Sequence, residues 1–162
     1  MSQKHTISCL VENHFGVLAR ISGLISARGF NIDSLTVSAT EDPTASRMTV
    51  VVEADTPQKL EQVKNQLSRL IDVIEVQELK EGQYIDREIL LARVTVDGDA
   101  RAKLAELLQR YGGRVADATD RSAIVEATGH TKKLDELVEQ LRAYGITKLV
   151  RTGRVALEKP KA

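Results

Sequence analysis

The chain has 162 residues, 42% of them hydrophobic and 28% charged, with 23 basic residues against 23 acidic ones. A formal charge of zero removes the simplest electrostatic case for nucleic acid or an anionic membrane as the main partner, and the length suits two small domains. Cys9 is the single cysteine, which excludes an intrachain disulfide and a thiolate metal cluster.

Residues 5–12 read as a strand, and Asn13-His14-Phe15-Gly16 breaks it. Val17, Leu18, Ile21, Leu24 and Ile25 then recur at helical spacing, and Gly29 lies just past them, where a left-handed residue ends a helix. Residues 30–40 and 46–54 are the next strands: Leu35, Val37 and Ala39 alternate with polar residues, as do Met48, Val50, Val52 and Ala54. Glu41-Asp42-Pro43-Thr44 supplies the turn between them. Thr56-Pro57 is an N-cap followed by proline at the first helical position, and Leu60, Val63, Leu67 and Leu70 form the apolar stripe of a second helix. Val73, Ile74 and Val76 give a closing strand, so the order is βαββαβ.

Glu78-Leu79-Lys80-Glu81-Gly82-Gln83 is charged and holds a glycine, which places the boundary there: a first domain over 1–78, a linker over 79–86 and a second domain over 87–162. The order then recurs. A strand over 87–96 leads to a helix with Leu104, Leu107 and Leu108 on one face, Gly112-Gly113 stops it, and strands 114–119 and 122–128 follow. Leu134, Leu137, Val138 and Leu141 mark a fourth helix with Gly145 at its end, and residues 146–151 a last strand. Lys59-Leu60-Glu61-Gln62-Val63 is echoed by Lys133-Leu134-Asp135-Glu136-Leu137 at an offset of 74 residues. The expectation is an α+β fold of two consecutive antiparallel sheets, each with two helices on one face. Leu35 and Val37 suggest a strand in need of cover, which dimerisation would supply.

Much chemistry is missing. The five aromatic residues, Phe15, Phe30, Tyr84, Tyr111 and Tyr144, all fall at loops or element ends, which argues against base stacking on a sheet. No phosphate-cradling glycine motif is present, His5, His14 and His130 lack ligand spacing, and no nucleophile sits beside a base. Ile89-Leu90-Leu91-Ala92 is the longest apolar run, far short of the roughly 20 residues of a membrane helix. The N-terminus leads straight into a strand without a signal-peptide core, so the expected location is cytoplasmic.

One loop stands out. Asn13-His14-Phe15-Gly16-Val17-Leu18 joins the first strand to the first helix, where first-turn N–H groups and the helix dipole favour a carboxylate. Gly16 lets a ligand approach the main chain, and Asn13 offers a donor and an acceptor. On the residues alone a plainer reading stands beside this one, in which Asn13 caps the helix and Gly16 relieves crowding. Asn31 opens the next strand, near an edge that would face the same loop of a neighbour.

The segments Val-Glu-Asn-His-Phe-Gly-Val-Leu-Ala-Arg (11–20), Arg-Gly-Phe-Asn-Ile-Asp-Ser-Leu-Thr-Val (28–37) and Ser-Arg-Met-Thr-Val (46–50) resemble the small regulatory subunits of acetolactate synthase, also called acetohydroxyacid synthase. The likeness runs over nearly the whole chain, including Gly-Gln-Tyr-Ile-Asp-Arg-Glu-Ile (82–89). It implies two ferredoxin-like domains: an N-terminal ACT domain that dimerises and binds valine at the dimer interface, and a C-terminal one that contacts the catalytic large subunit. That partner would hold thiamine diphosphate, Mg2+ and FAD, with no cofactor, metal or catalytic residue in this chain. The complex would serve branched-chain amino acid biosynthesis, with activation of the large subunit and feedback inhibition by valine. Carried over by position, Asn13, Gly16, Val17 and Leu18 resemble the effector loop, and Asn31 and Ile32 the facing strand of the neighbour. Many ACT domains have aspartate where this chain has Asn13, and an uncharged amide removes one repulsion against the ligand carboxylate. Two rivals stay open: a stand-alone amino-acid-binding regulator of another enzyme or of transcription, and a small phosphatase-like enzyme that lacks an arginine in the loop itself.

Overall fold

Alternation along Gln3–Glu12 sends Ile7, Cys9 and Val11 into a core and Thr6 and Ser8 to the opposite face, which is what makes this segment a strand, β1. The structure is a computed structural model and describes residues 3–98 and 100–160. Met1 and Ser2, part of the N-terminal segment read above, lie outside the described residues.

After the break, α1 (Val17–Ala27) turns Val17, Ile21 and Ile25 inward at a spacing of four residues. It ends as the sequence predicts. Gly29 takes φ 76°, its N–H donates to Ser26 O at 3.0 Å, and Phe30 N donates to Ile25 O at 3.2 Å, a paired arrangement that satisfies the last carbonyls. The edge strand β2 (Ile32–Ala39) and β3 (Ala45–Ala54) follow, then α2 (Pro57–Leu67) and β4 (Val73–Leu79). At the start of α2 the Thr56 hydroxyl accepts from Lys59 N at 3.3 Å, with Pro57 at the first helical position. The sheet is antiparallel in the order β2-β3-β1-β4. Met48, Val50 and Val52 join the β1 residues, α1 and the Leu60, Val63 and Leu67 face of α2 in one core.

The second unit repeats the plan with β5 (Tyr84–Thr95), α3 (Ala100–Tyr111), β6 (Gly113–Ala118), β7 (Ser122–Gly129), α4 (Thr131–Leu141) and β8 (Ile146–Arg151), and its sheet order is β6-β7-β5-β8. Leu134, Leu137 and Leu141 are buried as are Leu60, Val63 and Leu67, so the echo read in the sequence is an echo of packing. Gly113 is glycine for a steric reason: a Cβ there would lie 2.8 Å from the Glu126 carbonyl oxygen.

Two features depart from the linear division expected above. Leu79 belongs to β4 and Tyr84 to β5, so only residues 80–83 lie outside strands, closed by Gln83 N donating to Lys80 O at 3.0 Å and by Gly82 at φ 84°. In addition, a ninth strand, β9 (Val155–Glu158), pairs with β5, and the compact units are Met1–Ile85 with Arg154–Ala162, and Asp86–Gly153. Gly153 turns the chain at φ 81°. Arg154 then donates from its backbone N to Ser34 Oγ at 3.2 Å, and from Nη1 to Thr6 Oγ1 at 2.7 Å and Tyr84 OH at 3.2 Å. The expectation of everything after residue 87 as one unit had no apolar period to reveal this return, because Val155-Ala156-Leu157 is too short a run.

Two substitutions test these assignments. Thr56→Ala removes the cap of α2 and lowers stability by about 1 kcal/mol, read as a lower denaturant midpoint at unchanged slope. Arg154→Ala takes a charged donor from the Thr6 hydroxyl, which is only 2% exposed, and costs about 1–3 kcal/mol in the same measurement.

Candidate functional site

The loop after β1 is fastened to the β2–β3 turn. Asn13 N donates to Thr44 O at 2.7 Å, and Asn13 Nδ2 donates to Pro43 O at 2.9 Å. A carbonyl can only accept, so the amide nitrogen faces Pro43 and the Asn13 side-chain oxygen stays available as an acceptor. Asn13 is therefore not the cap of α1. Gly16 is, at φ 83°, and no side chain bonds to the helix start. The first intrahelical bond is Arg20 N to Gly16 O at 3.0 Å, so the N–H groups of Val17, Leu18 and Ala19 precede the helical ladder. The first turn also carries no acidic side chain. This is an open helix start with its positive dipole end uncompensated, the electrostatics an α-carboxylate needs.

Behind the loop lies an ion-pair network. Asp72, 5% exposed, accepts from Arg20 Nε at 2.7 Å, and its other oxygen is 3.1 Å from His14 Nε2. The same His14 nitrogen is 3.0 Å from Glu12 Oε2, and His14 Nδ1 faces the Phe15 carbonyl at 3.1 Å. All these partners are acceptors, an arrangement that favours the doubly protonated ring. The Phe15 carbonyl, with help from Glu12 and Asp72, raises the His14 pKa above its ordinary value. The sequence, in which the histidines lack ligand spacing, does not show this meeting. Ligand atoms of Glu12, His14 and Asp72 lie within 4.8 Å of one another, a grouping a cation could use, but Arg20 already supplies positive charge to Asp72.

The expected site residues fall in two places. Asn13, Gly16, Val17 and Leu18 are together at the C-terminal end of β1. Val17 is buried in the core and offers the loop only its amide. Leu18 is exposed. Asn31 and Ile32 stand at the other end of the sheet: Ile32 pairs with Val52 and Val52 with His5, whereas Glu12 pairs with Ala45. Seven residues of strand from His5 to Glu12 at about 3.3 Å each separate the two groups by roughly 23 Å. Asn31 borders a cleft of about 290 Å³ with Arg28, Phe30, Glu53, Asp55 and Lys59. Asn31 is exposed, and Ile32 is half-buried on the edge strand.

Arg20, Asp72 and Glu12 are site neighbours that sequence reasoning missed. A Cβ at Gly16 would lie 3.3 Å from Arg20 Nη1, so this guanidinium folds back over the loop from one helical turn away. The signal was present in the four-residue step from Gly16 to Arg20 and in Asp72 standing among Leu70, Ile71, Val73 and Ile74. Cys9 is buried in the same unit, and that burial pushes its thiol up to about 12.

Residues 7–75 match the family model described as the AHAS small subunit-like ACT domain, and residues 87–160 the one described as the small subunit of acetolactate synthase. The acetolactate synthase small subunit of Mycolicibacterium smegmatis is 43% identical over 156 residues, covering 96% of this chain and 91% of its own. That of Haemophilus influenzae is 38% identical over 157 residues and 96% of each chain. The crystal structure of the Thermotoga maritima acetolactate synthase small subunit superposes with a TM-score of 0.89 at 30% identity, covering 99% of both chains. The two βαββαβ units of this chain share that architecture. The chain is a member of the acetolactate synthase small-subunit family.

Proposed function

We propose that this chain is the regulatory subunit of an acetolactate synthase: it binds the catalytic large subunit, raises its activity and makes it sensitive to valine. The large subunit carries the thiamine diphosphate, Mg2+ and FAD chemistry. The observation that carries this reading is the roughly 23 Å between the two groups of effector residues on one sheet. A single copy cannot close both groups on one small amino acid. Two copies joined antiparallel through the β2 edges can, because each then brings its Ile32 end towards the other's Asn13 end. Main-chain N–H groups of Val17 and Leu18 would grip the carboxylate, the Asn13 oxygen would accept from the ammonium, and Leu18 with the neighbour's Ile32 would meet the branched side chain.

Valine in this seam favours one arrangement of the pair over another. A coupling of about 1–3 kcal/mol between effector and partner changes the active population several-fold to over a hundredfold without any chemistry in this chain. The family membership supports this reading over a phosphatase-like enzyme, since an open helix start by itself suits a phosphate as well as a carboxylate. The stand-alone amino-acid regulator remains the alternative, and it predicts valine binding without association with a large subunit.

An acetolactate synthase assay with the cognate large subunit, with and without this chain across a valine series, separates them: the expected outcome is higher activity that valine then suppresses. Failure of the two chains to associate removes the regulatory-subunit reading. Gly16→Asp adds a negative charge and a side chain beside the open amides, at a φ of 83° that disfavours any Cβ. Calorimetry on the isolated variant is expected to show valine affinity at least about tenfold weaker, or about 1.4 kcal/mol. Unchanged affinity excludes this loop.

A further inference from the structure

The residues of the effector loop face two ways. Gly16 and the amides after it point to the candidate effector, while Phe15 between His14 and Gly16 is 100% exposed, the most exposed large apolar side chain described. Ile71 is 94% exposed and Ile74 58% exposed. These belong to one end of the first unit. His14 and Asp72, the chain neighbours of Phe15 and Ile71, are joined at 3.1 Å, Glu12 N donates to Asp72 O at 2.8 Å, and Val73 pairs with Val11. Isolated exposed leucines and isoleucines are ordinary, but a phenylalanine and two isoleucines gathered on one end of a small domain are not.

We infer that Phe15, Ile71 and Ile74 form the surface on which the catalytic large subunit docks, so that the effector loop and the docking loop are the same loop. The assignment rests on the regulatory-subunit reading above and places a contact with the large subunit on the first unit, in addition to the C-terminal contact that the resemblance implies. Given the β2 seam proposed above, the strand order β2-β3-β1-β4 favours the large subunit over a second copy as the occupant. In the proposed pairing the edge taken by a second copy is β2, which begins at Ile32. Ile74 is on β4, the opposite edge, and Phe15 and Ile71 flank the β1–β4 end. Once two copies share the β2 seam, this patch is still open on both, which fits a different chain. Its charge also fits an apolar partner surface: Glu12, His14, Asp72 and Arg20 at its rim are paired among themselves, so docking need not strip water from an unmatched charge. An exposed aromatic flanked by aliphatic side chains has the form of an interface anchor. The arrangement couples the two events directly, because an amino acid drawn onto the Gly16 amides pulls on the residue next to Phe15.

The test titrates purified large subunit with the full chain and with Phe15→Ser and Ile71→Ser, recording affinity, the oligomeric state of each small-subunit variant alone and its valine binding. Ile71 lies outside the loop, so its variant keeps the proposal testable if Phe15→Ser disturbs Gly16. The expected result is affinity for the large subunit weakened about tenfold or more by each change, with unchanged oligomeric state and retained valine binding by Ile71→Ser. Wild-type affinity in both variants overturns the assignment. So does a change in the variants' own oligomeric state with large-subunit affinity intact, which would give the patch to a second copy. If the wild-type chain itself fails to bind the large subunit, the regulatory-subunit reading falls first and the docking surface with it.

Discussion

The uncapped start of α1 is the constraint from which the rest follows. A helix leaves its first N–H groups without partners, and most helices answer with a serine, threonine, aspartate or asparagine side chain. In this unit α2 does so with Thr56, but α1 begins at Gly16 with no side chain on its amides and no acid in its first turn. The asparagine that stands near enough to be a cap spends its amide on the Pro43 carbonyl instead. Its oxygen and the open amides thus present an acceptor and several donors side by side, complementary to the two charged ends of a free amino acid.

Keeping such a loop open and in place requires support from behind. Asp72 is a buried carboxylate, which is stable only with partners, and it draws Arg20 and His14 onto itself. Arg20 comes from α1, His14 from the loop and Asp72 from the turn before β4, so the network ties three elements together at the mouth of the site. The same connections set Phe15 and Ile71 on the outside. A loop with amides on its inner side and an aromatic ring on its outer side matches the two contacts proposed above, one for a small molecule and one for a partner enzyme.

The fold was largely legible because its signals are local. Helical spacing in Leu60, Val63 and Leu67, repeated in Leu134, Leu137 and Leu141, gave both second helices of the two units, and Gly29 gave the end of α1. Element edges moved by a few residues where side-chain alternation is indifferent, as at Tyr84 and Ile85. The C-terminal return was not legible, since Arg154 acts through partners 70, 120 and 148 residues away in sequence. Within the candidate site, Gly16 and Asn13 could be singled out from the break between strand and helix, but the role of Asn13 could not, because its partner comes from the β2–β3 turn. Val17 shows the converse: it sits within the effector loop by position, but its side chain belongs to the core. The meeting of His14 with Asp72 depends on β1 and β4 being neighbours, which sheet order alone supplies.

Sharing of the effector between two copies is the central claim, and mixed pairs test it directly. Chains carrying Gly16→Asp keep an intact Asn31 and Ile32 end, while chains carrying Asn31→Ala with Ile32→Ala keep an intact loop. If each site takes its loop from one copy and its strand from the other, mixing the two defective chains restores one of two valine sites, and calorimetry on the purified mixed pair will register about half the wild-type capacity. A mixed pair that binds no more valine than either defective chain alone would contradict the account.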